Sequence, residues 1–297
     1  MSECIEYCGY VALVGRPNVG KSTLLNHLLG QKIAITSRKP QTTRHLLLGV
    51  DTRGPYQAIY VDTPGIHDHA DRAMNRYMVR SATSVLADVD VIAMLLDRDQ
   101  FTEADELVLQ HVKASSARRF AIINKIDLLK KKNALLPAIA HLQGLDCFEQ
   151  VFPLSALRNT GLDVLRREVS SALPAHAHMF PADQITDHSE RFLVSEIIRE
   201  KLIRRYGDEI PHRTAVVIEA FTDTEKITDI AADIYVERAG QKRIIIGKGG
   251  EKLKAVGQQA RRDIEALLGR KVMLRLWVKV KPGWTNDRGA LKRMGYG

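Results

Sequence analysis

The chain has 297 residues, 45% of them hydrophobic and 27% charged, enough apolar material for one to three cored domains, with two the expected number. No apolar run reaches about 18 residues and the acidic start MSECIEYCGY lacks an apolar signal core, so neither a transmembrane helix nor a secretion signal is expected. The net charge is +9, and the whole excess lies at the end: residues 247–297 hold 13 basic and 4 acidic side chains, against 31 of each in 1–246, which points to an anionic partner, either nucleic acid or an acidic membrane surface.

Cys4, Cys8 and Cys147 form an odd, sparse set that suits a reducing cytoplasm better than a disulfide framework, and no Cys/His pair stands near the first two to complete a metal site. The first strand is expected at 10–14 (YVALV). It runs into GRPNVGKST (15–23), which has the spacing G-x-x-x-x-G-K-[ST] and opens a helix over 21–29. Glycines let backbone N–H groups turn onto phosphate oxygens, and a helix N-terminus adds partial positive charge. Gly15, Arg16, Pro17, Asn18, Val19, Gly20, Lys21, Ser22 and Thr23 are therefore the candidate phosphate-binding residues. Lys21 suits the β- and γ-phosphates, and the Ser22 hydroxyl suits Mg²⁺.

Strands follow at 45–50, 57–62, 90–97, 119–124 and 151–155, separated by helical spacing as in 104–113. Near-continuous apolar runs such as VIAMLL fit strands covered on both faces, so a doubly wound α/β domain with a mostly parallel sheet is expected. DTPG (62–65) closes one strand: Asp62 can hold Mg²⁺ and the Gly65 N–H can sense a γ-phosphate. The same tetrapeptide is also ordinary turn chemistry, and its place about 40 residues after the cradle favours the functional reading. NKID (124–127) closes another strand. Asp127 can accept from N1–H and the 2-amino group of guanine, a donor pair that adenine lacks. Lys125 can lie along the base, Asn124 can brace the loops, and Ser155, Ala156 and Leu157 can complete the base pocket.

The stretch 173–189, with Pro174, Pro181, His176 and His178, breaks the rhythm and reads as a linker, giving domains over 1–173 and 190–297 joined by 174–189. The second part is expected to begin with a helix over 191–207, then strands at 213–222 and 229–238. A strand-like run, a glycine turn and two helices fill 241–269, and a last strand covers 271–280. The turn is G-x-x-G, Gly247–Lys248–Gly249–Gly250, a form that lets a nucleic-acid backbone approach closely. Lys242, Arg243, Ile246, Lys248, Lys252 and Lys254 surround it and complete the candidate RNA-binding set, although the same lysines could simply solvate a helix face. Trp284 could stack on a base or fill a small core.

The ordered set GRPNVGKS, DTPG, NKID and SAL resembles the translation-factor-type GTPases. With QTTRH (41–45), IIIGKGGEKLK and LWVKVKPGW, nearly the whole chain resembles the Era-like subfamily of TrmE-Era-EngA-type bacterial GTPases, which carry a C-terminal type II KH domain. The resemblance implies a P-loop GTPase domain followed by an α+β KH domain, with GTP/GDP and Mg²⁺ as ligands. It also implies binding near the 3′ end of 16S ribosomal RNA and a role in 30S subunit maturation. Either Thr42 or Thr43 would close over the metal and γ-phosphate, and spacing does not choose between them. Ile66 stands where many small GTPases carry a water-orienting glutamine, so slow intrinsic turnover is expected. In the branch resembled, an Asn at position 18 goes with a potassium ion near the phosphates; as a reading of this chain, Asn18 as loop filler is equally admissible. The chain is read as a cytoplasmic monomer, with peripheral contact at the cytoplasmic face of the inner membrane as a secondary expectation from the same basic charge. A hydrolysis-deficient RNA-binding assembly module is the alternative reading.

Overall fold

The computed structural model describes residues 5–39, 42–66, 73–98, 101–207, 213–224 and 226–294. Of the positions singled out above, Cys4 and Gln41 lie outside them, as do residues 67–71 that follow DTPG and Ile66. The chain divides into two compact units, 1–34 with 43–70 and 77–187, and 35–42 with 71–76 and 188–297. Among the described residues, no helix is long and apolar enough to cross a membrane.

Through residue 172 the order is β1 (Tyr7–Val14), α1 (Lys21–Leu29), β2 (Leu47–Arg53), β3 (Tyr56–Asp62), α2 (Ala73–Ser84), β4 (Val91–Asp97), α3 (Glu103–Lys113), β5 (Arg118–Asn124), α4 (Leu135–Gly144), β6 (Gln150–Pro153) and α5 (Leu162–Ala172). The strands form one sheet in the order β2-β3-β1-β4-β5-β6. All neighbours are parallel except β2, which pairs antiparallel with β3. The apolar runs explain this arrangement. Residues 91–96 of β4 are all buried, as a strand covered on both faces requires. Its Ile92, Met94 and Leu96 meet Val108, Leu109 and Val112 of α3 and Leu142 of α4. Leu24, Leu25 and Leu28 give α1 a buried apolar face. Because β1, β3, β4, β5 and β6 run the same way, the loops leaving their C-terminal ends collect along one edge, where ligands bind in such sheets. Those loops begin at Gly15, Thr63, Arg98, Lys125 and Leu154.

The stretch 174–187 lies with this first unit. Cys8 N donates to the Pro174 carbonyl at 3.1 Å, and Val50 N to that of Ile185 at 2.8 Å. The buried Gln57 carboxamide accepts from Met179 N and Phe180 N and donates to the Phe180 carbonyl. His178 Nε2 lies 3.2 Å from the Pro55 carbonyl.

The second unit runs α6 (Glu190–Arg205), β7 (Thr214–Asp223), β8 (Thr228–Val236), α7 (Ala239–Ile246), α8 (Glu251–Leu268), β9 (Val272–Val280) and α9 (Arg288–Arg293). Its sheet has the order β7-β8-β9, antiparallel then parallel, with a bulge between Ile218 and Ala220. Val194, Ile197, Ile198 and Leu202 of α6 and Val256, Ala260 and Ile264 of α8 cover one face of it. One expectation is corrected here. The strand-like run ending at Ile246 is the helix α7, and 251–268 is a single helix, so the two expected helices lie on either side of the glycine turn. Three successive isoleucines favour a strand by propensity alone. Here Gln241 caps the segment through the Glu237 and Arg238 amides, Ile245 alone of the three is fully buried, and Gly247 ends the helix. Helical burial of one residue in three overrides the local preference.

Candidate nucleotide site and RNA-facing turn

The loop after β1 is shaped by residues that only certain side chains permit. Gly15 has φ 151, and a Cβ there would lie 2.6 Å from the Leu95 carbonyl oxygen. Gly20 has φ 106, and a Cβ there would lie 2.3 Å from Asn124 Nδ2. Asn18 between them is left-handed at φ 66. The chain then enters α1 with no acidic residue in its own first turn, so the partial positive charge there is not offset from within the helix. Lys21 is 5% exposed. Its Nζ donates to the carbonyls of Gly15 at 2.9 Å and Arg16 at 3.0 Å. Burial lowers its pKa to about 8 against the opposing pull of Asp62.

Three oxygen-bearing side chains meet beside it. Ser22 Oγ donates to Asp62 Oδ2 at 2.5 Å and lies 2.8 Å from Thr43 Oγ1, which is 3.4 Å from the same carboxylate. Asp62 is fully buried, and its other oxygen, Oδ1, has no hydrogen-bond partner. Burial raises its pKa to about 6, with Lys21, Ser22 and Thr43 acting in the other direction. A cluster of hard oxygens with one carboxylate oxygen left over fits Mg²⁺, which prefers such ligands. The two threonines part company: Thr42 Oγ1 donates to the Lys39 carbonyl at 2.6 Å and pairs with Ser37 Oγ, whereas Thr43 stands with Ser22 and Asp62. Gly65 lies against the cradle, since a Cβ there would fall 2.7 Å from Pro17 N. Ile66 is buried among Ala12, Val14 and Ile92 and other core residues.

The loops after β5 and β6 form the next part. Asn124 is buried. It donates to the Val19 carbonyl at 2.8 Å and accepts from Lys125 N at 2.8 Å and Ala156 N at 2.9 Å, tying three loops together. Lys125 Nζ donates to the Asn18 carbonyl at 2.6 Å and Asp97 Oδ2 at 2.8 Å. Ser155 Oγ donates to Asp127 Oδ1. Leu157 is exposed beside them. Asp97 was missed in the sequence, yet it ends β4 directly opposite Asn124, and a carboxylate at the C-terminal end of a parallel strand is itself a signal. Arg16 is engaged elsewhere: its Nε lies 3.1 and 3.2 Å from the two oxygens of Asp105 at the start of α3.

In the second unit, Gly247, Gly249 and Gly250 have φ of 74, 59 and 79. A Cβ at Gly249 or Gly250 would meet nothing within 4 Å, so the turn presents open backbone. Arg243, Lys248, Lys252 and Lys254 are exposed around it, and Lys242 and Ile246 are half-buried. Trp284 is fully buried, which removes its ring from any stacking surface.

A sequence family described as 50S ribosome-binding GTPase matches residues 10–125, and the KH domain family matches 209–285. GTPase Era of Pseudomonas aeruginosa is 53% identical, over 98% of this chain and 95% of that protein. GTPase Era of Ectopseudomonas mendocina is 53% identical over 98% of both. A crystal structure of Era in complex with MgGDPNP and nucleotides 1506–1542 of 16S ribosomal RNA superposes with a TM-score of 0.95 at 38% identity, over 98% of this chain and 99% of that one. A variant of Aquifex aeolicus Era bound to GDP·AlF4⁻ gives the same TM-score, identity and coverage. With a phosphate cradle of this geometry, a C-terminal KH unit and identity above half along almost the entire length, the chain belongs to the Era family of GTPases.

Proposed function

We propose that this GTPase acts as a switch on the 3′ end of 16S ribosomal RNA and assists maturation of the 30S subunit. The observation that carries the switch is the buried, unpartnered Asp62 Oδ1 beside Ser22 and Thr43. Ser22, Thr43 and Asp62 would hold Mg²⁺, which when bound supplies positive charge to the β- and γ-phosphate oxygens. Lys21 and the backbone N–H groups of the loop 15–23, Pro17 excepted, would grip those phosphates, and Asp127, held by Ser155, would accept from the guanine edge. Lys125, fixed by Asp97 and the Asn18 carbonyl, would lie along the base. Loss of the γ-phosphate would release Thr43 and Gly65 together.

Ile66 is buried and apolar, so backbone, a partner or an ion must position the attacking water. Potassium near Asn18 would be that ion, with Asn18 as loop filler the other reading; equal turnover in KCl and NaCl would remove potassium. For the RNA, support comes from the related protein that was crystallised with nucleotides 1506–1542, and from the open turn 247–250 with its ring of basic side chains. The test is binding of an oligonucleotide of that region with the chain loaded with a GTP analogue or GDP, beside a scrambled oligonucleotide. The reading expects affinity that depends on both sequence and nucleotide; indifference to both would overturn it.

A further inference from the structure

Arg16 was counted with the phosphate-binding residues because it lies in the cradle, but its side chain is committed to another part of the fold. Asp105 is fully buried. Its Oδ1 and Oδ2 lie 3.1 and 3.2 Å from Arg16 Nε, 89 residues away in sequence. Oδ2 also accepts from Thr102 N at 3.0 Å and Thr102 Oγ1 at 2.7 Å, closing the cap of α3. The carboxylate is thus rigidly held before it meets the arginine. On the other side, the Arg16 carbonyl is one of the two that receive Lys21 Nζ. The second, on Gly15, belongs to a residue wedged against the Leu95 carbonyl of β4. The peptide that anchors Lys21 is therefore held at Gly15 by β4 and at Arg16 by α3.

We propose that Asp105 is a positioning residue for GTP hydrolysis: by holding the Arg16 guanidinium it keeps the Arg16 peptide where Lys21 is anchored, ready for phosphate. Arg16 then serves as a tether for the cradle and its charge is spent on Asp105, not on the nucleotide. This rests on 15–23 being the phosphate-binding loop. A preorganised donor contributes most where charge develops in the transition state, so loss of the tether falls mainly on kcat.

The test uses the full chain and steady-state GTP turnover, with thermal denaturation of each variant. Asp105→Asn keeps the shape and can still accept from Thr102 N, but it loses the charge that holds Arg16. Asp105→Asn and Arg16→Ala are each expected to lower kcat about tenfold with KM changed less than about threefold. The double variant is expected to be no worse than either single one, because both remove one interaction, and Arg16→Lys should retain more kcat than Arg16→Ala. If Arg16→Ala impairs turnover while Asp105→Asn does not, Arg16 acts on the nucleotide directly and the proposal is overturned. Multiplicative losses in the double variant overturn it as well, as do lowered melting temperatures with unchanged kcat and KM. A natural chain without any GTP turnover would overturn the reading of the loop itself, which sets that failure apart from failure of the tether.

Discussion

Nucleotide binding at this site should move protons, with a sign that reverses with pH. Lys21 has a folded pKa of about 8, below its ordinary 10.5, and Asp62 one of about 6, above its ordinary 3.8. In the nucleotide-free protein the folded chain binds fewer protons than the unfolded chain between about pH 8 and pH 10.5, so Lys21 makes stability rise across that window, by about 3 kcal/mol at 1.36 kcal/mol per pH unit. Asp62 works the other way: between about pH 3.8 and pH 6 the folded chain binds more protons, and stability falls as pH rises through that range. A bound phosphate restores the charged form of Lys21, and a bound magnesium ion restores the charged form of Asp62. At about pH 8.5 only about a quarter of Lys21 is charged in the free protein, so binding of magnesium-loaded GDP takes up about three quarters of a proton. Toward about pH 6 proton release from Asp62 replaces proton uptake by Lys21 as the larger effect, so the net sign turns to release. Titration calorimetry in pairs of buffers with different ionisation enthalpies reads the proton count directly. A binding enthalpy independent of buffer at about pH 8.5, or proton uptake at about pH 6, would refute the reasoning.

Asn124→Ala removes three hydrogen bonds of a buried side chain, to Val19, Lys125 and Ala156. At about 1 kcal/mol each, about 3 kcal/mol of stability should be lost, seen as a lower melting temperature together with weakened guanine-nucleotide binding. Lys248→Ala and Lys252→Ala, on exposed side chains flanking the glycine turn, should each flatten the salt dependence of RNA binding by about 0.7 in log–log slope; an unchanged slope in both would remove them from the RNA surface. Trp284→Ala, at a fully buried position, should cost about 3–5 kcal/mol, read as a melting-temperature loss without RNA present. RNA affinity lost at an unchanged melting temperature would return Trp284 to a stacking role.

The first unit was legible because its signals are strong and local. Apolar runs such as 91–96 have no stable place except between two layers of helices, and the glycines of the cradle answer to backbone conformations that other residues resist. What escaped was decided by tertiary contact. Ile244, Ile245 and Ile246 have strand propensity, but only their setting between a Gln241 cap and Gly247 reveals a helix. Thr42 and Thr43 are adjacent and chemically identical, so sequence spacing could not separate them; the fold does, by giving Thr42 the Lys39 carbonyl and Thr43 the Asp62 carboxylate. Asp97 and Asp105 carry no motif, and each acts through a residue of one, Lys125 and Arg16. Trp284 lies in a run of basic residues that suggested a nucleic-acid surface, and burial gave it to the core.

The site also shows where folding and function oppose each other. Lys21, nearly buried, has two carbonyl acceptors for its three N–H donors, and Asp62 has a buried oxygen with no hydrogen-bond partner. Such groups weaken the free protein, and the ligand offsets that deficit: at a thousandfold excess over Kd, binding adds about 4 kcal/mol to stability. The switch elements inherit this balance through the β2–β3 hairpin. Leu47 pairs with Asp62 at one end of it, with Thr43 four residues before the first and Gly65 three after the second. The two residues proposed to sense the γ-phosphate therefore hang from the same end of one hairpin. Its outer strand, β2, is the antiparallel edge of the sheet, with β3 on one side and a backbone bond from Val50 N to the Ile185 carbonyl on the other, whereas β1, β4 and β5 have strand neighbours on both sides. A change in phosphate occupancy that shifts Thr43 and Gly65 together would act most easily on β2 at the sheet edge, because β3 is also held by its parallel ladder to residues 7–13 of β1.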